Sequence, residues 1–157
     1  MTTPSWKTYA AWIGFTEIVG AVSGWLARDG TELYRAVIAR PPFSPPGIVF
    51  PIVWTILFAL MGIGAARIYS VPASEVRAQS LRLFLAQLTL NFFWSIIFFI
   101  FQAFGLAFLW LVVLWVMIIR MILSFRKVDP TAAWLQIPYL LWVSFAAYLN
   151  LGVWLLN

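Results

Sequence analysis

Long apolar runs, interrupted at a few short polar or proline-rich points, divide the chain into five segments. A helix that crosses a membrane needs about 20 mostly apolar residues, and such runs lie at about 8–27, 47–70, 80–101, 105–125 and 131–155. The stretch from Leu83 to Ile119 has no charged residue and is too long for one crossing, so a turn is predicted at Gln102–Gly105. The runs are continuous rather than alternating, which favours helices over a barrel. We predict an all-α, multi-pass membrane protein, one domain (1–157) with a bundle of five transmembrane helices.

The composition agrees with lipid as the main solvent. Apolar residues make up 64% of the chain and charged residues 10%, against about 45–50% and 25% in soluble domains. Neither cysteine nor histidine occurs, which excludes disulfides, thiolate metal sites and histidine-dependent catalysis. No metal site and no required cofactor are expected.

The basic residues flank the apolar runs instead of forming one patch. The net charge of +5 therefore favours contact with lipid headgroups over nucleic acid. One side of the predicted bundle carries three arginines, Arg28, Arg35 and Arg40. The N-terminal side carries seven basic residues, which are Lys7, Arg67, Arg77, Arg82, Arg120, Arg126 and Lys127. The positive-inside rule then predicts the N-terminus inside and both the C-terminus and the 28–46 connection outside, with the cell membrane favoured.

The connection at 28–46 is long and rich in proline. Pro41, Pro42, Pro45 and Pro46 each fix φ and push the preceding residue toward extended backbone. We predict a semi-rigid loop that covers the mouth of the bundle, with Gly47 opening the second helix. The alternative is a stiff spacer between helices.

Three predicted helices carry stripes of aromatic, small and amide side chains at helical spacing. The stripes are Phe50, Trp54, Phe58 and Met61; Gln87, Asn91, Trp94 or Ser95, and Phe98; and Pro138, Trp142, Ala146 and Asn150. If they face one another, they form an aromatic-walled slot with amides at its side. The alternative is packing alone, with the amides bonded across helices.

Three further features of the predicted spans bear on function. Glu17 is the only carboxylate well inside a span. It is a candidate site for a cation or a proton. The alternative, which we favour, is a neutral side chain that is hydrogen-bonded to a neighbouring helix. Trp54 and Trp142 lie deep, where an indole offers a flat face and needs a partner for its N–H. Four other tryptophans lie near predicted helix ends, as in interfacial belts: Trp6, Trp25, Trp134 and Trp154.

Four blocks of the sequence, "RPPFSPP", "FPIVWTILFALMG", "QLTLNFFWSIIFF" and "PYLLWVSFAAYLN", resemble the translocator protein family, also called the tryptophan-rich sensory protein or peripheral benzodiazepine receptor (TspO) family. The resemblance implies a five-helix bundle, commonly dimeric, that binds porphyrins and aromatic drug-like ligands under its first loop. The family's pocket positions fall on Tyr34, Trp54, Phe58, Asn91, Ser95, Trp142, Phe145 and Ala146.

The sequence departs from the family pattern in the loop and after Asn150 of the last helix. Leu33 and Phe43 stand where the family usually has tryptophan, and the Tyr and Arg of the animal sterol motif are absent, so sterol recognition is not implied. The expected partners are protoporphyrin IX, haem or another flat aromatic molecule, membrane lipid and a second copy of the chain.

Binding and sensing of porphyrins is the leading functional hypothesis. The resemblance also implies a light-dependent, porphyrin-degrading enzyme that uses Trp54 and Trp142 as its catalytic groups. A porphyrin product formed only in light would distinguish this enzyme from a binding protein. A small-molecule transporter is the third hypothesis, although no inverted repeat or pair of broken helices supports it. A purely structural membrane protein is the fourth.

Overall fold

The computed structural model describes residues 3–157, which fold as a bundle of α-helices. The helices are α1 (Trp6–Leu26), α2 (Arg28–Val37), α3 (Val49–Tyr69), α4 (Glu75–Ser95), α5 (Phe104–Val128), α6 (Pro130–Trp134) and α7 (Ile137–Leu156). A π-helical turn, Ile96–Ile100, extends α4.

Four of these segments are long and apolar enough to cross a membrane. They are α3, α4 with its π-helical turn, α5, and α6 together with α7. Helices α1 and α2 are separated by a bend of 57°. If this pair counts as one span, the number of possible membrane spans rises to five. The prediction of an all-α, multi-pass membrane protein is confirmed.

The predicted loop at 28–46 was wrong over its first half, because Arg28–Val37 forms α2. Asp29 lies in the first turn of this helix and Arg35 in its last turn, where each complements the helix dipole. In this connection, non-helical backbone is confined to 38–48, and α3 begins at Val49 rather than at Gly47.

The last predicted helix is also divided, at Leu135 and Gln136. Pro138 has no N–H to donate and its ring clashes with the carbonyl four residues earlier, so α6 ends and α7 starts again with this proline in its first turn. Asp129 caps α6, since its Oδ1 accepts from the Thr131 N–H at 2.9 Å. Its Oδ2 accepts from Arg67 Nε at 2.7 Å, which ties α6 to α3.

The bundle packs α1 against α3 and α4, α4 against α5, and α5 against α7. Buried side chains at its centre include Met61, Phe84, Ile118, Phe125 and Tyr139, each with no exposed surface.

The approach of α1 to α3 depends on a glycine. A Cβ atom on Gly62 would lie 2.6 Å from the Ile13 Cα. Beside it, the Thr16 hydroxyl donates to the Phe58 carbonyl at 2.7 Å. Close backbone approach at small residues is typical of helix pairs in lipid.

Gly62→Ala should therefore lower the thermal unfolding midpoint in detergent, followed by circular dichroism. The added methyl group meets backbone that cannot rotate away, and overpacking of this kind costs about 1–3 kcal/mol. Gly14→Ala is the matched control, since a Cβ there has no neighbour within 4 Å and alanine is the better helix former. Equal midpoints for the two variants would contradict the close α1–α3 contact.

Candidate ligand-binding site

A cavity of about 660 Å³ lies between α1, α3, α4 and α7, beneath α2 and the 38–48 segment. Pockets for small molecules usually measure about 300–1,000 Å³ and are mostly apolar with a few polar anchors. Aromatic rings from four elements form much of this wall: Tyr34, Phe50, Trp54, Phe58, Trp94, Phe98, Phe99 and Trp142.

The structure brings most of the predicted site residues to this cavity. Its wall includes Tyr34, Trp54, Phe58, Asn91, Ser95, Trp142 and Ala146. Phe145 is not among the lining residues; its ring lies 5.5 Å from that of Trp142, centre to centre. At about 100° per residue, Phe145 and Ala146 fall on opposite sides of Trp142, and Ala146 has the side that faces the cavity.

The deep amides take part in hydrogen bonds between helices. Tyr139, which has no exposed surface, donates from its hydroxyl to Gln87 Oε1 at 2.7 Å and accepts from Asn91 Nδ2 at 2.8 Å. Asn150 accepts from the Trp94 indole at 3.0 Å. Gln87 is therefore structural, whereas Asn91 lies on the cavity wall, and its carbonyl oxygen accepts no hydrogen bond from the described residues. Sequence reasoning missed Tyr139, because its partners lie 48 and 52 residues away.

Two indoles on the cavity wall, those of Trp54 and Trp142, differ from three others in their hydrogen bonding. Trp94, Trp110 and Trp115 donate their N–H groups within the protein at 2.8–3.0 Å. Within residues 3–157, Trp54 and Trp142 have no such acceptor and both line the cavity. Each offers a ring face and a free N–H donor to a ligand.

The cap of the cavity consists of α2 and the 38–48 segment. Tyr34 reaches inward from α2, and its ring centre lies 5.8 Å from that of Phe98 and 5.7 Å from that of Phe99. Gly30 packs directly on the Phe99 carbonyl, where a side chain has no room. The guanidinium carbon of Arg40 lies 5.7 Å from the Tyr34 ring centre, within the range of a cation–π contact.

The 38–48 segment is hydrogen-bonded to the C-terminal half of α7 and to Asn157, the residue that follows this helix. The Asn157 side chain accepts from the Ala39 N–H at 3.2 Å and donates to the Ala39 carbonyl at 2.9 Å. The Tyr148 hydroxyl donates to the Pro42 carbonyl at 2.7 Å. These contacts hold one side of the cap on the bundle.

The two residues that replace family tryptophans do not reach the cavity wall. The side chain of Leu33 is 44% exposed and that of Phe43 is 88% exposed, and neither lines the cavity. Phe43 also has a φ of 67°, in the left-handed region, which turns the chain between its two proline pairs.

Charged side chains are divided between the two ends of the cavity. Arg28, Arg35, Arg40 and Glu32 belong to the cap, whereas Glu17 lines the wall halfway along α1. In the part of the chain that the structure describes, no group of His, Cys, Asp or Glu side chains is placed to hold a metal ion.

These features define the class of this chain: it is a multi-pass helical membrane protein with an aromatic cavity under a proline-rich cap. Residues 9–155 match the TspO/MBR family, and the chain is a member of that family. It is similar to the tryptophan-rich protein TspO of Chlorobaculum tepidum, with 37% identity over 152 residues and 96% of both chains covered.

Relatives from other organisms support the same assignment. The translocator protein of Ovis aries is 34% identical over 151 residues, which cover 90% of this chain and 87% of the relative. The tryptophan-rich sensory protein of Cereibacter sphaeroides is 33% identical over 118 residues, which cover 75% and 73%.

Asn157→Ala should loosen the cap. Loss of two hydrogen bonds to Ala39, each with a net contribution of about 1 kcal/mol, should speed amide hydrogen exchange in residues 38–48 about fivefold or more. Mass spectrometry of the exchanged protein measures this. Leu155→Ala serves as the control, because Leu155 is 74% exposed. Equal exchange in wild type and Asn157→Ala would show that the contact does not hold the cap.

Proposed function

We propose that this membrane protein binds and senses porphyrins, such as protoporphyrin IX or haem, and similar flat aromatic ligands. The observation that carries the proposal is the pair of indoles without partners, Trp54 and Trp142, on one capped cavity. Flat aromatic molecules stack on such rings, and their ring nitrogens or carbonyls accept from indole N–H groups. The name of one relative, the tryptophan-rich sensory protein of Cereibacter sphaeroides, supports the sensing role.

The arginines of the cap suit the acidic groups of a porphyrin. Arg28, Arg35 and Arg40 all border the cavity, and a guanidinium binds a carboxylate through paired, charge-assisted hydrogen bonds. Arg35 already donates to the Gly47 carbonyl at 3.3 Å, while Arg40 rests over the Tyr34 ring. We propose that Arg40 pairs with a porphyrin carboxylate, since it forms no ion pair within residues 3–157.

The second candidate function is light-dependent porphyrin degradation. It is supported by the same two indoles, which lie on the wall where a porphyrin would stack. In this proposal dioxygen is the oxidant, and Trp54 and Trp142 are the redox-active side chains.

We also propose an arrangement in the membrane and a partner. The excess of basic residues at the N-terminal end of the bundle favours a cap that faces outward from the cell membrane. The outer face of α5 carries exposed apolar side chains, which include those of Leu109, Val113 and Leu123. Lipid or a second copy of the chain would contact this face.

Trp142→Leu should weaken equilibrium binding of protoporphyrin IX in the dark about tenfold or more. One stacked aromatic ring contributes about 1–3 kcal/mol, and about 1.4 kcal/mol changes Kd tenfold. Visible absorbance of the porphyrin in detergent measures binding. The matched control is Trp134→Leu, since Trp134 is 73% exposed and does not line the cavity. Saturable binding that both variants retain equally would exclude this pocket.

Arg40→Gln should weaken protoporphyrin binding at low salt. The difference in Kd between this variant and wild type should become smaller as the salt concentration increases, because ions screen a partly exposed charge pair. A titration at several salt concentrations measures the effect. Arg126→Gln changes an exposed arginine at the opposite end of the bundle and should leave affinity unchanged. An affinity for Arg40→Gln equal to wild type at all salt concentrations would disprove the pairing.

A further inference from the structure

A carboxylate lies on the cavity wall at membrane depth, at the middle of α1. Glu17 is the twelfth of the 21 residues of this helix, and it borders the cavity with Gly20, Ala21 and Gly24. Ionisable side chains inside a span are costly and face a functional cavity or a partner. The porphyrin proposal leaves this group without a role.

Within residues 3–157, the Glu17 carboxylate has neither an ion pair nor a hydrogen bond. The nearest basic residues along the chain, Lys7 and Arg28, are ten and eleven positions away, about 15 Å or more along a helix that rises about 1.5 Å per residue. Arg35 and Arg40 belong to the cap. The protein itself therefore supplies no counter-charge close to Glu17.

The cavity near Glu17 has aromatic walls and room for a ligand group. Gly20, three residues further along α1, packs on the Phe58 ring, whose centre lies 5.6 Å from that of Trp54. On the same wall, about two turns from Glu17 toward the cap, a Cβ placed on Gly24 would meet nothing within 4 Å. An acidic side chain beside aromatic faces is the combination that recognises an ammonium group.

We propose that Glu17 binds a protonated amine, so that the cavity accepts flat aromatic ligands with an ammonium group directed toward the membrane interior. The ammonium supplies the counter-charge that the protein lacks, and the rings of Phe58 and Trp54 contact the ligand beside it. The inference rests on the proposed function in one respect: it uses the same cavity. It assigns Glu17 as a residue that determines ligand specificity there.

A matched pair of fluorescent probes tests the proposal. 1-Pyrenemethylamine, which is protonated at pH 7, and neutral 1-pyrenemethanol share one ring system and differ at the group that would meet Glu17. Kd values of both probes, and of protoporphyrin IX in the dark, are measured for wild type, Glu17→Gln, Glu17→Asp and Glu75→Gln. Glu75 is the control carboxylate, since it is exposed at the start of α4 and does not line the cavity. Circular dichroism and gel filtration report the fold and the oligomeric state.

We expect wild type to bind the amine about tenfold tighter than the alcohol. Glu17→Gln should abolish that preference, Glu17→Asp should keep most of it, and Glu75→Gln should leave it unchanged. An unchanged preference in folded Glu17→Gln, or an equal loss in Glu75→Gln, overturns the inference. A changed oligomeric state in Glu17→Gln with the preference intact also overturns it, because Glu17 then serves a contact between copies.

The porphyrin titrations separate this inference from the proposed function. Glu17→Gln should change the Kd for protoporphyrin IX less than twofold, since the porphyrin carboxylates lie at the cap. If wild type shows no saturable porphyrin binding but retains the amine preference, the porphyrin proposal fails and the role of Glu17 stands. If wild type binds porphyrin but does not prefer the amine, the proposed role of Glu17 fails and the porphyrin proposal stands.

Discussion

Backbone hydrogen bonding inside lipid is the constraint on which the rest of this structure depends. Peptide groups at membrane depth must be satisfied by the protein, so the chain leaves regular α-helix only where other parts of it provide cover. The π-helical turn at Ile96–Ile100 lies under α2, with Gly30 against the Phe99 carbonyl. At the break before α7, the Gln136 side chain donates from Nε2 to the Ala132 carbonyl of α6 at 3.3 Å and to the Leu60 carbonyl of α3 at 3.2 Å. At the first of these points the irregular backbone also shapes the cavity wall, as π-helical turns frequently do at functional sites.

Because lipid tails are as apolar as the core, hydrogen bonds between helices take a larger part in fixing their positions than hydrophobic burial does. Bonds of this kind contribute about 0.6 kcal/mol each on average, and here they connect distant segments: Thr16 to Phe58, and Tyr139 to both Gln87 and Asn91. They surround the cavity at its deep end. The wall that would meet a ligand is thus held by contacts that do not need the ligand, which reduces the entropy lost on binding.

The sequence was most informative where lipid imposes a regular pattern. The length of an apolar run follows from bilayer thickness, so the spans were located closely, and the helical period brought Trp54, Asn91 and Trp142 to one cavity. Helix α2 was missed because four prolines follow it, and its one buried side chain, Tyr34, packs on rings more than 60 residues away. Tyr139 was missed for a similar reason. A buried hydroxyl between two amides leaves no local periodicity to detect.

The separation of charge along the cavity gives its two ends different chemistry. Arginines border it at the cap, where water reaches them, whereas Glu17 faces it from the middle of a span. Coulomb attraction strengthens as the effective dielectric constant falls. An ion pair of equal geometry therefore has a stronger attraction at Glu17 than at the cap. It adds to affinity only where this attraction exceeds the free-energy cost of desolvating both charges. Under the two proposals, acidic groups bind at the cap and set a salt-dependent affinity, whereas a basic group binds at Glu17 and sets specificity. A ligand that carries both groups satisfies both ends at once, and its orientation in the cavity is then fixed by charge, while the indoles of Trp54 and Trp142 bind the ring system between them.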